Sequence, residues 1–204
     1  KNSSIKALAY QLYENNGVLK RENVQQYLKD LGQNERKILR ELGVKFGRYH
    51  IFLHRLIKPE AVSLRTLLWK NYHQKNVHLK PPTFGLNFLI DKNSKDKNFM
   101  LLCGFEKFED FFVRIDILER LFMQIINSNT DDKKEIKMTA EMLNLLGCSK
   151  DNFRKLLKNM NYKIIIKDDD LFFKYMPSKN NKKIFNKKIT KENPFGILKN
   201  LNLS

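Results

Sequence analysis

The chain has 204 residues, 42% of them hydrophobic and 15 of them phenylalanine, which is enough apolar material to bury a core. No apolar run is long enough to cross a bilayer and no signal-like segment opens the chain, so a membrane-spanning protein is excluded and a cytoplasmic location is expected. The two cysteines, Cys103 and Cys148, lie far apart without a motif, which excludes a disulfide framework and favours buried thiols.

The formal net charge of +17 is unevenly distributed. Residues 1–75 hold 15 lysines and arginines against 6 acidic residues, and residues 178–204 hold 7 against 1. Residues 113–177 are nearly balanced, with 12 against 10. A charge of this sign suits a polyanion, and we expect the two ends to supply most of the attraction. Because the chain begins at Lys1 and not at a methionine, we expect it to be a segment of a longer protein.

Residues 1–75 predict a helical module. Three helices are expected, each from an apolar stripe at helical spacing that stops at or just before a glycine. They cover residues 4–15, 21–31 and 34–42. The third helix leaves basic side chains on its outer face, namely Arg36, Lys37 and Arg40. A strand or ordered loop carrying Lys45 and Arg48 follows over residues 44–57, where apolar and basic residues alternate. These five basic residues are candidates for contact with nucleic acid.

A fourth helix is predicted from Pro59, which suits a first helical turn. Its apolar residues, which include Trp69, surround more than one face, so we expect this helix to lie in a core. Residues 76–104 contain Pro81, Pro82 and a charged run, which indicates a surface connector.

Residues 105–177 predict a winged-helix-like domain, because three helices are followed by a short hairpin. The expected fold class is therefore mainly α, of the α+β type. A capping box of Asp116 and Glu119 is expected to start the first helix, and Gly147 to end the second. The second and third helices are expected to begin after the N-caps Thr139 and Ser149. In the first strand of the hairpin, apolar Tyr162, Ile164 and Ile166 alternate with Lys163, Ile165 and Lys167. Three aspartates, Asp168, Asp169 and Asp170, are expected to form its turn.

The third helix of this domain has an apolar stripe that includes Phe153 and Leu156. Its opposite face is basic and is expected to point outward, with Lys150, Arg154, Lys155, Lys158 and Asn159. An exposed basic third helix is typical of a groove or phosphate reader, but a solvated helix in a lysine-rich protein has the same pattern. Both interpretations stay open. After it, residues 178–204 predict a disordered basic tail with a short apolar end that could dock as one helical turn.

Three runs of the sequence resemble successive landmarks in the carboxy-terminal region of helicase-related proteins of alphaproteobacteria. They are LGVKFGRYHIFLHRLIKPEAVSLRTLLW (Leu42 to Trp69), VRIDILERL (Val113 to Leu121) and LLGCSKDNFRKLLKNMNY (Leu145 to Tyr162). The run NPFGILKNL (Asn193 to Leu201) resembles the short apolar motif that closes many of them. Those proteins are superfamily 2 helicases, similar to the RNA helicase of the mitochondrial degradosome. Two departures concern loops, since His54 stands where proline is common and Asn161 where glycine is common.

The resemblance implies an ATP-driven translocase whose motor domains precede this region. ATP and magnesium are therefore expected only in those motor domains, because no G-x-x-x-x-G-K-[ST] loop is present in this chain. We expect no catalytic centre, cofactor or metal in these 204 residues. His50 and His54 lack a neighbouring cysteine or glutamate ligand, and the aspartate triplet is more typical of a solvated turn.

Two functions remain as hypotheses. In the first, the chain is an accessory region that grips RNA or DNA for the helicase motor. In the second, it is an interaction module that packs on the motor domains or on a partner protein and does not touch nucleic acid. The near-neutral charge of residues 113–177 favours the second, and the basic ends favour the first.

Overall fold

A computed structural model describes residues 3–73, 78–91, 96–128, 135–167 and 170–176. The predicted tail, residues 178–204, and two of the three turn aspartates, Asp168 and Asp169, lie outside them. The α-helices of the described residues are α1 Ser3–Glu14, α2 Gln25–Lys29, α3 Gln33–Glu41, α4 Pro59–Tyr72, α5 Lys97–Leu102, α6 Ile115–Asn127, α7 Ala140–Leu146 and α8 Lys150–Asn159. The strands are β1 Val18–Lys20, β2 Val44–Phe46, β3 His50–Leu53, β4 Phe88–Ile90, β5 Phe105–Lys107, β6 Phe111–Arg114, β7 Ile136–Lys137, β8 Tyr162–Lys167 and β9 Asp170–Tyr175.

The nine strands form three antiparallel sheets with one shared topology, in the orders β1-β3-β2, β4-β6-β5 and β7-β9-β8. In each sheet the strand that comes last in the sequence lies in the centre. It pairs with the first strand on one side and with the second strand, its hairpin partner, on the other. Each sheet comes with a helix before its first strand and further helix between its first and second strands. We call these the first unit (residues 3–53), the second unit (59–114) and the third unit (115–175). The mixture of helix and antiparallel sheet confirms the predicted α+β class.

The same turn joins helix to hairpin in all three units. It is made by Gly43, Gly104 and Asn161, whose φ angles are 93°, 83° and 63°. Each of these residues donates its amide to the carbonyl three positions earlier, at 2.9, 2.9 and 3.1 Å. Each also accepts, at 3.3, 2.9 and 2.8 Å, from the residue after its unit's last strand: His54, Ile115 and Met176. Asparagine tolerates this left-handed conformation better than most side chains, which explains how Asn161 fills a position that is glycine in the other two units.

The third unit follows the predicted elements closely. The side chain of Thr139 accepts from the Met142 amide and that of Ser149 from the Asn152 amide, and Gly147 ends α7 with φ 68°. The stripe of α8 is buried as predicted, and β8 and β9 form the predicted hairpin. Each of these features depends on a few neighbouring residues, which is why the sequence indicates them. The prediction is wrong for Asp170, which was expected in the turn but is the first residue of β9 and pairs with Lys167.

The predicted capping box at the start of α6 is wrong. The helix begins at Ile115 with Arg114 as N-cap and without a side-chain cap. Asp116 accepts from the side chain of Arg114 at 2.7 Å. Glu119 is buried, and its carboxylate lies against the turn between β2 and β3 instead of reaching back to the start of its own helix. A contact between residues 70 positions apart outcompeted the local cap.

The prediction that α4 lies in a core is also wrong. Only Val62 and Thr66 of this helix are buried, and Trp69 is half-buried with its ring 5.2 Å from that of Phe99. The opposite side of the helix exposes an apolar stripe made of Leu64, Leu67, Leu68 and Tyr72. The apolar content that suggested a core helix therefore lies largely on the surface.

The predicted segments do not coincide with the three units. Residues 76–104, expected to be a connector, contain β4 and α5, with Phe99 and Met100 buried. The strand β4 pairs with β6, which lies beyond the expected boundary at residue 105. The N-terminal module contains, besides its three predicted helices, a complete three-stranded sheet.

The units pack on each other through their sheets. In the first sheet Leu19 and Ile51 face the unit's own helices, while Val18 and Phe52 face outward and pack with Ile57 and Ile115. In the second sheet, Phe105 and Phe112 face their own helices. Its outward residues Phe111 and Val113 belong to the core of the third unit. The first two sheets are thus covered on both faces, and this fixes the three units relative to one another.

Candidate nucleic-acid interface

The helix α8 presents the predicted basic face because its other face is fixed in the core. Phe153, Leu156 and Leu157 are fully buried in the third unit. Lys150 and Lys158 are exposed and form no ion pair with any residue that the structure describes. These two ammonium groups are available to a phosphate.

The other predicted residues of α8 are already occupied. Arg154 is half-buried, with Nη1 3.2 Å from Asp151 Oδ1. Lys155 Nζ lies 2.5 Å from Oδ2 of Asp110, in the turn between β5 and β6. Asn159 Nδ2 donates to the Lys155 carbonyl at 2.9 Å. The structure therefore separates the five predicted residues into two free cations and three groups engaged within the fold.

The pair between Lys155 and Asp110 joins α8 to the second unit. The hydrogen bond lowers the pKa of Asp110 and raises the pKa of Lys155. Both side chains are exposed, and exposed ion pairs contribute little to stability. A phosphate could replace Asp110 as the partner of Lys155 at little cost.

The predicted cations of α3 also differ in availability. The Arg36 guanidinium donates to the carbonyls of Leu31, at 3.2 Å, and Leu28, at 2.7 Å, which satisfies carbonyl groups at the end of α2. Lys37 is exposed without an ion pair among the described residues. Arg40 is exposed and lies 5.7 Å from the ring centre of Phe46. Arg36 is therefore a structural residue, and Lys37 and Arg40 remain candidates.

The first hairpin carries the last two predicted residues. Lys45 is exposed, with no ion pair within the described ranges. Arg48 is exposed, and its guanidinium lies 5.9 Å from the ring centre of Tyr175, the last residue of β9. Tyr175 pairs with Tyr162, which follows α8 closely in the chain. The structure thus brings Arg48 to the third unit. Among the described residues, no hydrogen bond or ion pair joins the α3 cations to α8.

A buried ionic cluster holds the first hairpin in place, and no pattern in the sequence indicated it. The backbone amides of Arg48, Tyr49 and His50 all donate to the Glu119 carboxylate, the last two at 3.0 and 2.7 Å. His50 Nδ1 lies 3.0 Å from Glu119 Oε1, and His50 Nε2 lies 3.5 Å from Glu106 Oε2. Lys20 Nζ completes the cluster, 2.7 Å from Glu106 Oε1. The cluster joins β1 and β3 of the first unit to β5 of the second and α6 of the third.

The charges of this cluster stabilise one another. Burial by itself lowers the pKa of His50, but hydrogen bonds with Glu106 and Glu119 outweigh it and raise the pKa overall. Burial by itself raises the pKa of Glu106, and hydrogen bonds from His50 and Lys20 outweigh it and lower the pKa. A protonated imidazole between two carboxylates is therefore the favoured state.

The close approach of Glu119 also explains Gly47. A Cβ atom at this position would lie 2.4 Å from the Glu119 carboxylate carbon, so a larger residue would push the carboxylate out of its amide cradle. The turn between β2 and β3 thus binds a carboxylate of its own chain. It has no room left for an external phosphate at this point.

Four lysines outside the predicted set share one face of the third sheet: Lys137, Lys163, Lys167 and Lys174. The signal was visible in the sequence, because Lys163 and Lys167 alternate with apolar residues along β8. What the sequence did not show was the short strand β7, which adds Lys137 to the same face.

Among the described residues, no three histidine, cysteine, aspartate or glutamate side chains converge as metal ligands would. No helix within the described ranges is long and apolar enough to cross a membrane. Burial raises the pKa of the Cys148 thiol to about 11, which makes it a poor nucleophile at neutral pH. Compared with known proteins, the chain matches no protein-family model, no curated protein and no solved structure.

Proposed function

We propose that the chain is a C-terminal accessory region of a superfamily 2 helicase-related protein and that it grips RNA or DNA in the cytoplasm. The motor domains of the same protein would bind ATP and magnesium and would be the partner of this region. The observation that carries the proposal is the position of Lys150 and Lys158, exposed and without ion pairs among the described residues, on a helix that leads directly into a hairpin.

The topology supports the proposal. In the third unit the order is helix, strand, helix, helix and hairpin, with the last strand in the centre of the sheet. We assign this arrangement to the winged-helix fold, and the first unit has the same order. In DNA-binding proteins of the related helix-turn-helix type, the last helix of the motif enters the major groove. By that analogy α8 is the candidate reading helix, and Lys150 at its start and Lys158 near its end would contact phosphates.

The runs that resemble helicase landmarks contact one another in the fold. Glu119 belongs to the run Val113 to Leu121, and its carboxylate binds amides of the run Leu42 to Trp69. Arg48 of the latter run lies against Tyr175, which pairs with Tyr162 at the end of the run Leu145 to Tyr162. Segments that resemble landmarks of one region therefore meet in space.

The alternative is a protein-interaction module, and α4 supports it. The exposed stripe of α4 places three leucines and Tyr72 on the side opposite its buried residues. Contiguous apolar surface of this kind often marks a protein contact. The stripe belongs to the second unit and the α8 lysines to the third. An experiment can therefore rule out one binding surface without ruling out the other.

The test is binding of labelled duplex and single-stranded oligonucleotides at several salt concentrations. Replacing Lys150 and Lys158 together by alanine should weaken binding to every sequence. The slope of log affinity against log salt should fall by roughly 1.8 for duplex DNA, because each lost phosphate contact releases about 0.9 fewer counterions.

The matched control replaces Lys6 and Lys29 by alanine, since both are exposed lysines of the first unit and the change in net charge is the same. In the control variant, the slope of log affinity against log salt should stay close to that of the wild type. Equal affinity and slope in the two double variants would overturn α8 as a reader and favour the α4 stripe and the interaction module.

A further inference from the structure

The third sheet differs from the other two in what covers its outward face. The outward residues of the central strand are buried in the first sheet, as His50 and Phe52, and in the second, as Phe111 and Val113. In the third sheet the central strand β9 places Phe172 and Lys174 on that face, and both are half-exposed. No unit among the described residues packs on it.

The exposed face combines one aromatic ring with four lysines. The register places Lys137 and Ile165 beside Phe172, and Lys163 opposite Lys174. Lys167 Nζ lies 5.7 Å from the ring centre of Phe172. One ammonium group therefore lies over the ring, which is half-exposed.

Among the residues that the structure describes, the acidic groups on this face form salt bridges with two of the lysines. Glu135 Oε2 lies 2.6 Å from Lys167 Nζ, and Asp170 pairs with Lys137. Lys163 and Lys174 occupy directly opposite positions and form no salt bridge with any described residue. The Lys167 hydrogen bond is the main cause that lowers the pKa of the nearby Glu135 carboxylate, and the charge of Lys174 adds to it. Like charges in opposite positions of a sheet repel each other, so a bound anion between them would relieve the repulsion.

We propose that the outward face of the third sheet binds single-stranded nucleic acid, with an unpaired base stacked on Phe172 and the backbone phosphates held by Lys163 and Lys174. This inference rests on the proposed function and assigns it a second surface, distinct from α8. Proteins that hold single strands combine an aromatic platform with a basic groove along the backbone. A duplex keeps its bases stacked on each other, so it offers Phe172 no base face, and an acidic protein segment would use the lysines without the ring.

The decisive variant is Phe172→Leu, which keeps an apolar side chain and removes the stacking surface. Affinity for a single-stranded oligonucleotide should fall by roughly 5- to 150-fold, the range expected for one stacked base. Affinity for duplex should stay unchanged. Phe84→Leu is the matched control, because Phe84 is an exposed phenylalanine of the second unit, and it should change neither.

A second variant keeps the test independent of any loss of folding in the first. Replacing Lys163 and Lys174 together by glutamine should lower the salt slope for single strands by roughly 1.4. It should also raise the melting temperature of the free protein, because the repulsion is removed. RNA and DNA strands are measured in parallel, which shows whether the face distinguishes the two sugars.

The outcomes separate this site from α8. If Phe172→Leu alters single-strand binding no more than Phe84→Leu does, the single-strand site is overturned while the α8 proposal stands on its duplex data. If polyglutamate competes with single strands on the wild type but not on the Lys163→Gln, Lys174→Gln variant, and Phe172→Leu is silent, the face is an acidic-protein site. If the wild type binds no oligonucleotide, both proposals fail together.

Discussion

The first and third sheets have the same strand order and the same turn before the hairpin. Both outward faces carry basic side chains, but these side chains are neutralised to different extents. On the first sheet, Lys20 and His50 are neutralised by Glu106 and Glu119 of the neighbouring units. On the third sheet, Lys163 and Lys174 form no salt bridge with an acidic side chain among the described residues. Topology decides where a side chain points, and the neighbouring unit decides whether its charge is used within the fold or is free for a ligand.

The largest effect is expected from breaking the first sheet's cluster. Glu119→Ala removes the acceptor of three backbone amides and one partner of His50, so the free energy of unfolding should fall by about 3–5 kcal/mol. Urea denaturation measures this directly.

Glu141→Ala is the control for that measurement, because Glu141 is an exposed glutamate of α7 without a recorded partner. It should change the free energy of unfolding by less than about 0.5 kcal/mol. A similar small change for Glu119→Ala would show that the cluster does not hold the units together. Glu119→Gln, which keeps an oxygen acceptor but loses the charge, should fall between the two.

The pH dependence of stability should come next in size. The pKa of His50 is raised above its ordinary value of 6.5, so its contribution is fully present below pH 6.5 and is lost as pH rises through the higher value in the folded protein. The pKa of Glu106 is lowered from 4.5, so its contribution is present above pH 4.5 and is lost as pH falls through its value in the folded protein. The cluster should therefore stabilise most between pH 4.5 and 6.5.

The urea midpoint measured from pH 5 to pH 9 tests this. It should decline on the alkaline side in the wild type. His50→Gln should be less stable at pH 6 and should lose most of the alkaline decline. A wild-type midpoint that rises between pH 6.5 and 8 would contradict the assignment of a protonated imidazole.

The smallest effects concern the shared turn. Gly43→Ala places a side chain at φ 93° but with nothing within 4 Å of the new Cβ, so only the backbone strain is felt, about 1–2 kcal/mol. Asn161→Gly in the third unit removes the small strain that asparagine carries there and should change stability by less than about 1 kcal/mol, with a stabilising sign. Melting temperatures of the two variants compare the turns directly. A large loss in Asn161→Gly would mean that the asparagine side chain has a role beyond the turn.

Local features of the third unit could be predicted from the sequence because each is encoded within a few residues. Thr139, Gly147 and Ser149 mark helix ends, and the stripe of α8 follows from its period. The short strands β1, β4 and β7 could not, because strands of two or three residues are defined by pairing with residues 21 to 37 positions away and not by a pattern of their own. The threefold recurrence of the topology was missed with them.

The candidate interface shows the same limit. Exposure of Lys150 and Lys158 followed from helical spacing. The engagement of Lys155 by Asp110 depends on a contact 45 residues away, and that of Arg36 depends on the end of a different helix. Glu119 was misplaced because the turn between β2 and β3 offers it three amides, which a local cap cannot match. Spacing predicts which way a side chain points, and only the packed units show what it meets.

The junction between the second and third units has a mechanical consequence. Strand β6 ends at Arg114 and α6 begins at Ile115, whose amide donates to the Gly104 carbonyl at 2.9 Å and whose side chain is fully buried. No linker residue therefore separates the two units. A force applied to a nucleic acid bound by the third unit would be transmitted to the second unit through a peptide bond and a buried side chain. No flexible linker lies between the two units to absorb it. Such a junction favours movement of the two units as one rigid body over rotation of one unit against the other.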